Sequence, residues 1–421
     1  MSIPLRRYAG SKSIGWQYVS TMNVRKIIHL DLDAFFCAVE EGHNPALRGQ
    51  AFAVGGRPDQ RGVVSSCSYA ARQYGIHSAL PMAQAVRLCP QLIIVPPHFD
   101  AYREASRRVM DRLHNLTPLV EQISIDEAFL DVTMLRDDVE RIARGLQADI
   151  RDGLGLPCSL GVATNKLVAK IATNTGKASA HRDQPPNAIL VVPPGTEAAF
   201  LAPMPIRELW GVGPKTAEHL AHLGIHTIGD LARWSPADLE RRFGKHGAEL
   251  SERARGIDTR PVEPESETKS ISREITFARD VADGERLRRT LRRLSEEVGR
   301  RTRREGLRGT TIKLKLRWSD FTTLTRQVTL DAATQHDDDI HGAALALFEK
   351  AWIPGKPVRL IGVGISGFDD GGQQLSLWDG GGVKASGSQR LESTLDDLRE
   401  RFGDRIIRRG SDLLDRSPDE R

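Results

Sequence analysis

Cysteine is scarce in this chain. There are four, Cys37, Cys67, Cys89 and Cys158, none in a CxxC pair and none beside a histidine cluster. That pattern argues against a structural zinc site and predicts reduced core thiols, the usual condition in the cytoplasm. Long apolar runs are missing: no segment approaches the roughly 20 residues of a membrane helix. The first residues lack the apolar stretch and cleavage site of a secretory signal, so residues 1–24 read as a polar extension. Neither sign of charge dominates, with 60 Lys+Arg against 55 Asp+Glu and a net charge of +5. Bulk charge therefore says little about partners, and its distribution matters more. The Walker phosphate loop is absent too. Gly176-Lys177-Ala178 has Ile171 where that motif needs its first glycine and alanine where it needs Ser or Thr. What is present is a hydrophobic fraction of 39% in 421 residues, enough for packed cores in two to four domains.

The acids are placed more tellingly than they are numerous. Residues 26–33, KIIHLDLD, predict a buried strand ending in carboxylates. Asp31 and Asp33 are two apart and share a face. Residues 123–130 repeat the theme with Ser124-Ile125-Asp126-Glu127 inside an apolar run. Neighbours on a regular strand point opposite ways, so Asp126 and Glu127 meet one ligand only where a strand ends or turns. Solvated strand-end acids are the bland alternative for either pair. A carboxylate in apolar surroundings is costly without a neutralising partner. Three or four of them from two strand ends suit hard divalent cations. Two such ions about 3.5–4 Å apart would clamp the attacking and leaving oxygens of a phosphoryl transfer.

Other segments carry weaker signals. Phe35 and Phe36 are adjacent in a predicted helix and cannot both face one core; taken alone, each reads as a core residue. Ser66, Tyr69 and Arg72 recur every three residues and on a helix would form one stripe, suited to a triphosphate or equally to a solvated face. A helix over residues 165–177 carries Lys166, Lys170 and Lys177, the last at most a single phosphate-reaching cation. Gly211-Val212-Gly213-Pro214-Lys215 sets a glycine turn before a helix and lacks the third glycine of the dinucleotide fingerprint. Its free backbone N–H groups could hold a DNA phosphate, or it could simply join two helices. Residues 259–269 read as a tether. Beyond them a helix over 285–305 has Leu287, Leu291, Leu294 and Val298 as its apolar stripe. Residues 286–308 hold ten arginines against Glu296, Glu297 and Glu305, an imbalance that favours a phosphate-binding face. Alternation over 311–318 and 323–330 predicts an antiparallel pair. In the glycine-rich stretch that follows, Gln374-Leu375-Ser376-Leu377-Trp378 puts apolar side chains where something must bind them.

The order of these pieces resembles the Y-family DNA polymerases, in the bacterial DNA polymerase IV branch, from about Arg25 to Phe368. The first motif is residues 26–36, KIIHLDLDAFF; the second is residues 124–131, SIDEAFLD; residues 67–72, CSYAAR, lie between. The resemblance implies an α+β right-hand polymerase. Its parts would be a ferredoxin-like palm (25–33 and 98–190), small fingers (34–97), a helix-hairpin-helix thumb (191–258), a linker (259–268) and an α+β little finger (269–370), then a tail (371–421). It implies that Asp31, Asp126 and Glu127, with the Leu32 carbonyl, hold two Mg2+ ions, Asp33 supporting. Phe36 would be the steric gate against a 2′-hydroxyl, reversing its core reading. Ser66, Tyr69, Arg72 and Lys177 would contact the incoming triphosphate. Gly211, Gly213 and Lys215, and Arg288, Arg292, Arg300 and Arg303, would grip duplex DNA. Gln374, Leu375, Leu377 and Trp378 look like a sliding-clamp peptide. The implied activity is template-directed, low-fidelity translesion synthesis from dNTPs on primer–template DNA, without proofreading, by a cytoplasmic monomer that binds the β clamp. Two departures stand out: Ala178 follows Lys177 where the family usually has a nearby proline, and the clamp peptide lies well before the C-terminus. A nucleotidyl cyclase would also use paired acids but needs no template; a non-catalytic DNA-binding protein would incorporate nothing.

Overall fold

The strand predicted around Asp31 is the centre of the first half of the molecule. In the computed structural model, which describes residues 24–180, 184–265, 267–368, 387–403 and 407, it runs Ile27–Leu32 (β1), buried at every position except Asp31. The chain divides into one compact unit ending at 266 and another beginning at 267, with residues 59–61 grouped with the second.

In the first unit β1 is followed by α1 (Phe35–His43), β2 (Phe52–Gly55), β3 (Val64–Cys67), α2 (Tyr69–Arg72), α3 (Met82–Leu88) and β4 (Ile93–Val95). Then come α4 (Phe99–Leu116), β5 (Val120–Gln122), β6 (Glu127–Asp131), α5 (Val139–Leu154), β7 (Cys158–Ala163), α6 (Lys166–Ser179) and β8 (Ile189–Val191). Short helices close the unit: α7 (Glu197–Leu201), α8 (Pro214–His222), α9 (Ile228–Arg233), α10 (Pro236–Phe243) and α11 (Lys245–Ala254). The main sheet has the order β5-β6-β1-β7-β8, antiparallel except between β7 and β8. Strand period two divides β1 between two cores. Ile28 and Leu30 join Val109, Leu113, Ile142 and Leu146 of α4 and α5. Ile27 joins Leu167, Val168 and Ile171 of α6. Asp31 has the parity of Ile27 and His29, so it emerges on the α6 side. A smaller sheet, β3-β2-β4, packs one face against α2 and α3, while Phe52 and Val54 of β2 enter the same core as Ile28 and Leu30.

Two expectations shift. Residues 120–130 are not one strand but a hairpin, β5 and β6. Ser124 Oγ accepts the N–H groups of Asp126 and Glu127 at 3.2 and 3.1 Å and closes the turn. Ser66 belongs to β3, not to a helical stripe; Ser68 caps α2 by accepting from the Ala71 N–H.

The second unit contains β9 (Ser270–Val281), α12 (Gly284–Arg304), β10 (Gly309–Trp318), β11 (Thr323–Thr334), α13 (Asp337–Ala351), β12 (Val358–Phe368) and α14 (Gly387–Phe402). Its antiparallel sheet has the order β11-β10-β12-β9. The predicted stripe of α12 is buried with Ile340, Ala344 and Phe348 of α13 against Ile312, Leu314 and Leu316 of β10. Asp283 caps α12 through the N–H groups of Glu285 and Arg286. Among the described residues no helix is long and apolar enough to cross a membrane.

Candidate active site

The β1–β6 ladder brings the two acidic segments together. Asp31 pairs directly with Glu127, and the Leu32 N–H donates to the Asp126 carbonyl at 3.0 Å. Glu127 opens β6 while Asp126 stays in the turn, where Ser124 Oγ holds its Oδ1 at 2.5 Å. The two neighbours thus escape the opposite-face rule in the way their spacing requires. Asp33 lies at the far end of β1, fully buried, and accepts from Ser159 Oγ and the Asn187 N–H at 3.0 Å. Between Asp33 and α1, Ala34 adopts a left-handed conformation at φ 47°, a sparsely populated backbone for alanine that persists where surrounding structure enforces it.

Helix α6 lays two ammonium groups over these acids. Lys177 Nζ is 2.6 Å from Asp31 Oδ1 and 3.0 Å from Asp33 Oδ1. Lys170 Nζ is 2.9 and 2.8 Å from the two Glu127 oxygens. By sequence Lys170 is a plain helix lysine; the spacing along α6 does not reveal which of its lysines folds over which acid. Lys166 pairs instead with Glu121. Two ammonium groups facing Asp31, Asp33, Asp126 and Glu127 leave negative charge in excess. Burial pushes the Asp31 carboxyl up to about 6, Lys177 opposing and Glu127 and Asp126 adding to the rise. Burial works against the Lys177 ammonium, but Asp31 and Asp33 outweigh it and hold its pKa above the usual lysine value. Beneath them His29 is driven well below the usual imidazole range by burial, Lys170 and Lys177. Its Nδ1 lies 2.9 Å from Thr173 Oγ1.

Among the described residues no three acid, imidazole or thiol groups already converge on a common cation position; Asp31 and Glu127 are turned onto lysines instead. The donor chemistry nevertheless fits magnesium: all oxygens, partly buried, with surplus negative charge. Binding an ion there requires the ammonium groups to give way.

Tyr69 is held beneath Arg72, whose guanidinium lies 4.6 Å from the ring centroid. Burial raises the Tyr69 phenol, and the charges of Asp33 and Asp31 add to the rise, which puts α2 within electrostatic reach of the acids. Ser66 is buried and receives the Cys37 thiol at 3.6 Å. Phe35 is buried, whereas Phe36 is half-buried and stacks on Tyr102. Gly211 has φ +100°, and Gly213 caps α8, at whose start Lys215 is exposed.

The four α12 arginines singled out in the sequence are all engaged within the chain. Arg288 is paired with Glu285 and Glu349, and Arg292 with Glu296 and Asp338. Arg303 is largely buried between Asp337, Glu392 and Asp396. Arg300 is engaged as well. The imbalance within α12 is made up by acids of α13 and α14, which sequence counting in one window cannot see. The other face of the sheet is the more open one. Strand alternation there aligns Lys313 with Gln327 of β11 and Gly364 of β12, Lys315 with Thr325 and Gly362, and Arg317 with Thr323 and Leu360; Lys315 is itself paired with Glu274 of β9 at 2.7 Å. The KLKLRW alternation of β10 was the available signal. Residues 374–378 lie outside the described residues.

The chain matches the profile of the impB/mucB/samB family over residues 30–174. It also matches that family's C-terminal domain over 268–377 and the IMS family HHH motif over 194–225. Among solved structures it is similar to a Y-family DNA polymerase chimera, with a TM-score of 0.72 at 26% identity, covering 82% of this chain and 99% of that one. DinB from Sulfolobus solfataricus matches with a TM-score of 0.55 at 27% identity and the same coverage. The chain belongs to the Y-family DNA polymerases. It is 42% identical over 387 residues to a DNA polymerase IV of Desulfatibacillum aliphaticivorans, spanning 91% of this chain and 95% of that one. To a DNA polymerase IV of Streptomyces coelicolor it is 45% identical over 350 residues, spanning 82% and 71%. These relatives put it in the DNA polymerase IV branch, as a DNA-directed DNA polymerase.

Proposed function

We propose that the chain carries out low-fidelity DNA synthesis across damaged template bases, transferring nucleotides from dNTPs to a primer 3′-hydroxyl without a proofreading nuclease. The observation that carries the reading is the pairing of Asp31 with Glu127, with Asp126 on the adjoining turn. Asp31, Asp126, Glu127 and the Leu32 carbonyl would hold two Mg2+ ions. Those ions, when bound, would neutralise charge on the attacking and leaving oxygens. The chain's own residues would position the reactants. Lys177, released from Asp31 and Asp33, would turn to the triphosphate with Ser66, Tyr69 and Arg72. Phe36 would lie against the sugar.

In this reading residues 25–33 and 98–190 are the palm, 34–97 the fingers, 191–258 the thumb, 259–268 a linker and 269–370 the little finger. The glycine turn at Gly211 and Gly213, with Lys215, would hold one DNA phosphate run. The little finger would meet the duplex through the open sheet face of Lys313, Lys315 and Arg317, not through α12. Gly362 and Gly364 lie beside Glu274 and Ser272 of β9, whose Cβ atoms a side chain there would meet at 2.8 and 3.1 Å. Gln374, Leu375, Leu377 and Trp378 would engage a sliding clamp.

Primer extension with Asp126→Asn tests the core of this reading. Extension should fall about a thousandfold, the rate equivalent of several kcal/mol of charge stabilisation, while DNA affinity by fluorescence anisotropy is kept. Extension at the parental rate would refute the assignment.

A further inference from the structure

The ring proposed to face the sugar rests on an unusual support. Phe36 lies flat on Tyr102, with centroids 4.1 Å apart and planes 9° from parallel. Phe99 meets the two rings edge-on at 6.2 and 6.0 Å. Tyr102 is fully buried, and its hydroxyl donates to Glu40 Oε1. Glu40 stands one helical turn beyond Phe36 on α1 and is only 3% exposed. Its Oε1 also lies 2.8 Å from His98 Nδ1. One carboxylate therefore ties α1, which carries Phe36, to the ring of α4 on which Phe36 rests.

Packing alone does not call for an acid here. A buried carboxylate costs stability unless its hydrogen bonds offset the lost water, and a leucine would fill the space without that cost. What the acid adds is direction. A hydroxyl held by a carboxylate oxygen fixes the Tyr102 ring in its plane, because such bonds are short and directional. A ring stacked on a fixed ring cannot tilt without giving up the stack.

We propose that Glu40 and Tyr102 are positioning residues for sugar selection: Glu40 fixes the plane of Tyr102, and Tyr102 fixes the height of Phe36 against the 2′ position of the incoming nucleotide. This rests on the Phe36 reading above. If the floor is loosened, Phe36 can yield and a ribose fits. The loss should be selective, because a deoxyribose does not press on the ring.

The test compares kcat/KM for dGTP and GTP opposite a template cytosine, in the full chain, for Phe36→Ala, Glu40→Ala, Glu40→Gln, Tyr102→Leu and Tyr102→Phe. Phe36→Ala should lower the dGTP/GTP ratio most. Glu40→Ala and Tyr102→Leu should each lower it about fivefold, chiefly through a lower KM for GTP, the scale expected when one ring rotamer is freed. Glu40→Gln keeps an acceptor for the Tyr102 hydroxyl and should hold the ratio within about twofold of the parent. If Glu40→Ala does not fold, Tyr102→Phe carries the test: it keeps the ring, removes only the hydroxyl, and should still lower the ratio. Parental ratios in the folded Glu40 and Tyr102 variants, with Phe36→Ala relaxed, would overturn the positioning role and leave the gate standing. A parental ratio in Phe36→Ala would overturn the gate reading and this inference together.

Discussion

Burial makes Asp31 reluctant to ionise, against the pull of Lys177 and with smaller help from Glu127 and Asp126, so its proton affinity is a measurable property of the site. Its carboxyl stands near 6, above the ordinary value of 3.8. The folded chain holds that proton more tightly than the unfolded chain does. The group's contribution to stability is therefore fully present below about pH 4 and is lost as pH rises through about 6. In EDTA, Asp31→Asn should flatten this part of the dependence of melting temperature on pH; an unchanged profile would count against the shift. In the proposed reading magnesium would compete with the same proton. The acid limb of the primer-extension profile should lie near pH 6 at low magnesium and move to lower pH as magnesium is raised. Lys170 gives the complementary case. In Lys170→Met, Glu127 is left without its ammonium partner, so half-saturating magnesium should fall and the melting temperature in EDTA should fall with it. A rise in half-saturating magnesium would mean that Lys170 assists the ion instead of competing. The acids were legible in the sequence because a period of two fixes their face. Lys170 was not, since its partner lies 43 positions away and the sequence does not fix how α6 is rotated on the sheet.

At the scale of elements, the longer strands and helices followed from pattern, but the short β2, β4 and β8 and the helix α3 did not, nor did turn chemistry and ion partners. The hairpin at Ser124 interrupts an apolar run that alternation alone reads as continuous. On α12 the buried stripe is the one its spacing predicts, while the arginines found acids on other helices. This leaves two faces of one domain to be told apart. Replacing Lys313, Lys315 and Arg317 with alanine should lessen the salt dependence of DNA binding, by about one unit of log–log slope for each phosphate that is no longer neutralised. Replacing Arg288 and Arg292 should leave the slope as it is. The reverse result would restore the helix face as the DNA-binding one. The turn before α8 has its own test. A Cβ at Gly211 would sit 2.5 Å from Arg253 Nη1, on a backbone at φ +100°. Gly211→Ala should cost about 1–3 kcal/mol of stability, the usual scale for such a backbone. Urea denaturation measures it, and a loss within error would argue that the turn relaxes freely.

For the whole molecule, the separate cores set the expectation. The hydrophobic cluster of the second unit, from Ile271 to Ile365, shares no residue with those of the first, and residues around 259–267 connect the units. Units with their own cores unfold on their own terms. Scanning calorimetry should resolve two transitions, and a single two-state peak would show tight coupling. The proline- and glutamate-rich stretch read as a tether begins packed on the first unit, with Val262 in its core and the Glu263 N–H donating to Glu121.

Lys170 and Lys177 mean that the acidic centre travels with its own counterions. If that centre takes magnesium as proposed, the lysines offer the acids partners before the ion arrives, and the chain should fold in EDTA. Scarcity would then idle the enzyme without destroying it, and restoring the metal should bring synthesis back at once, with no refolding lag.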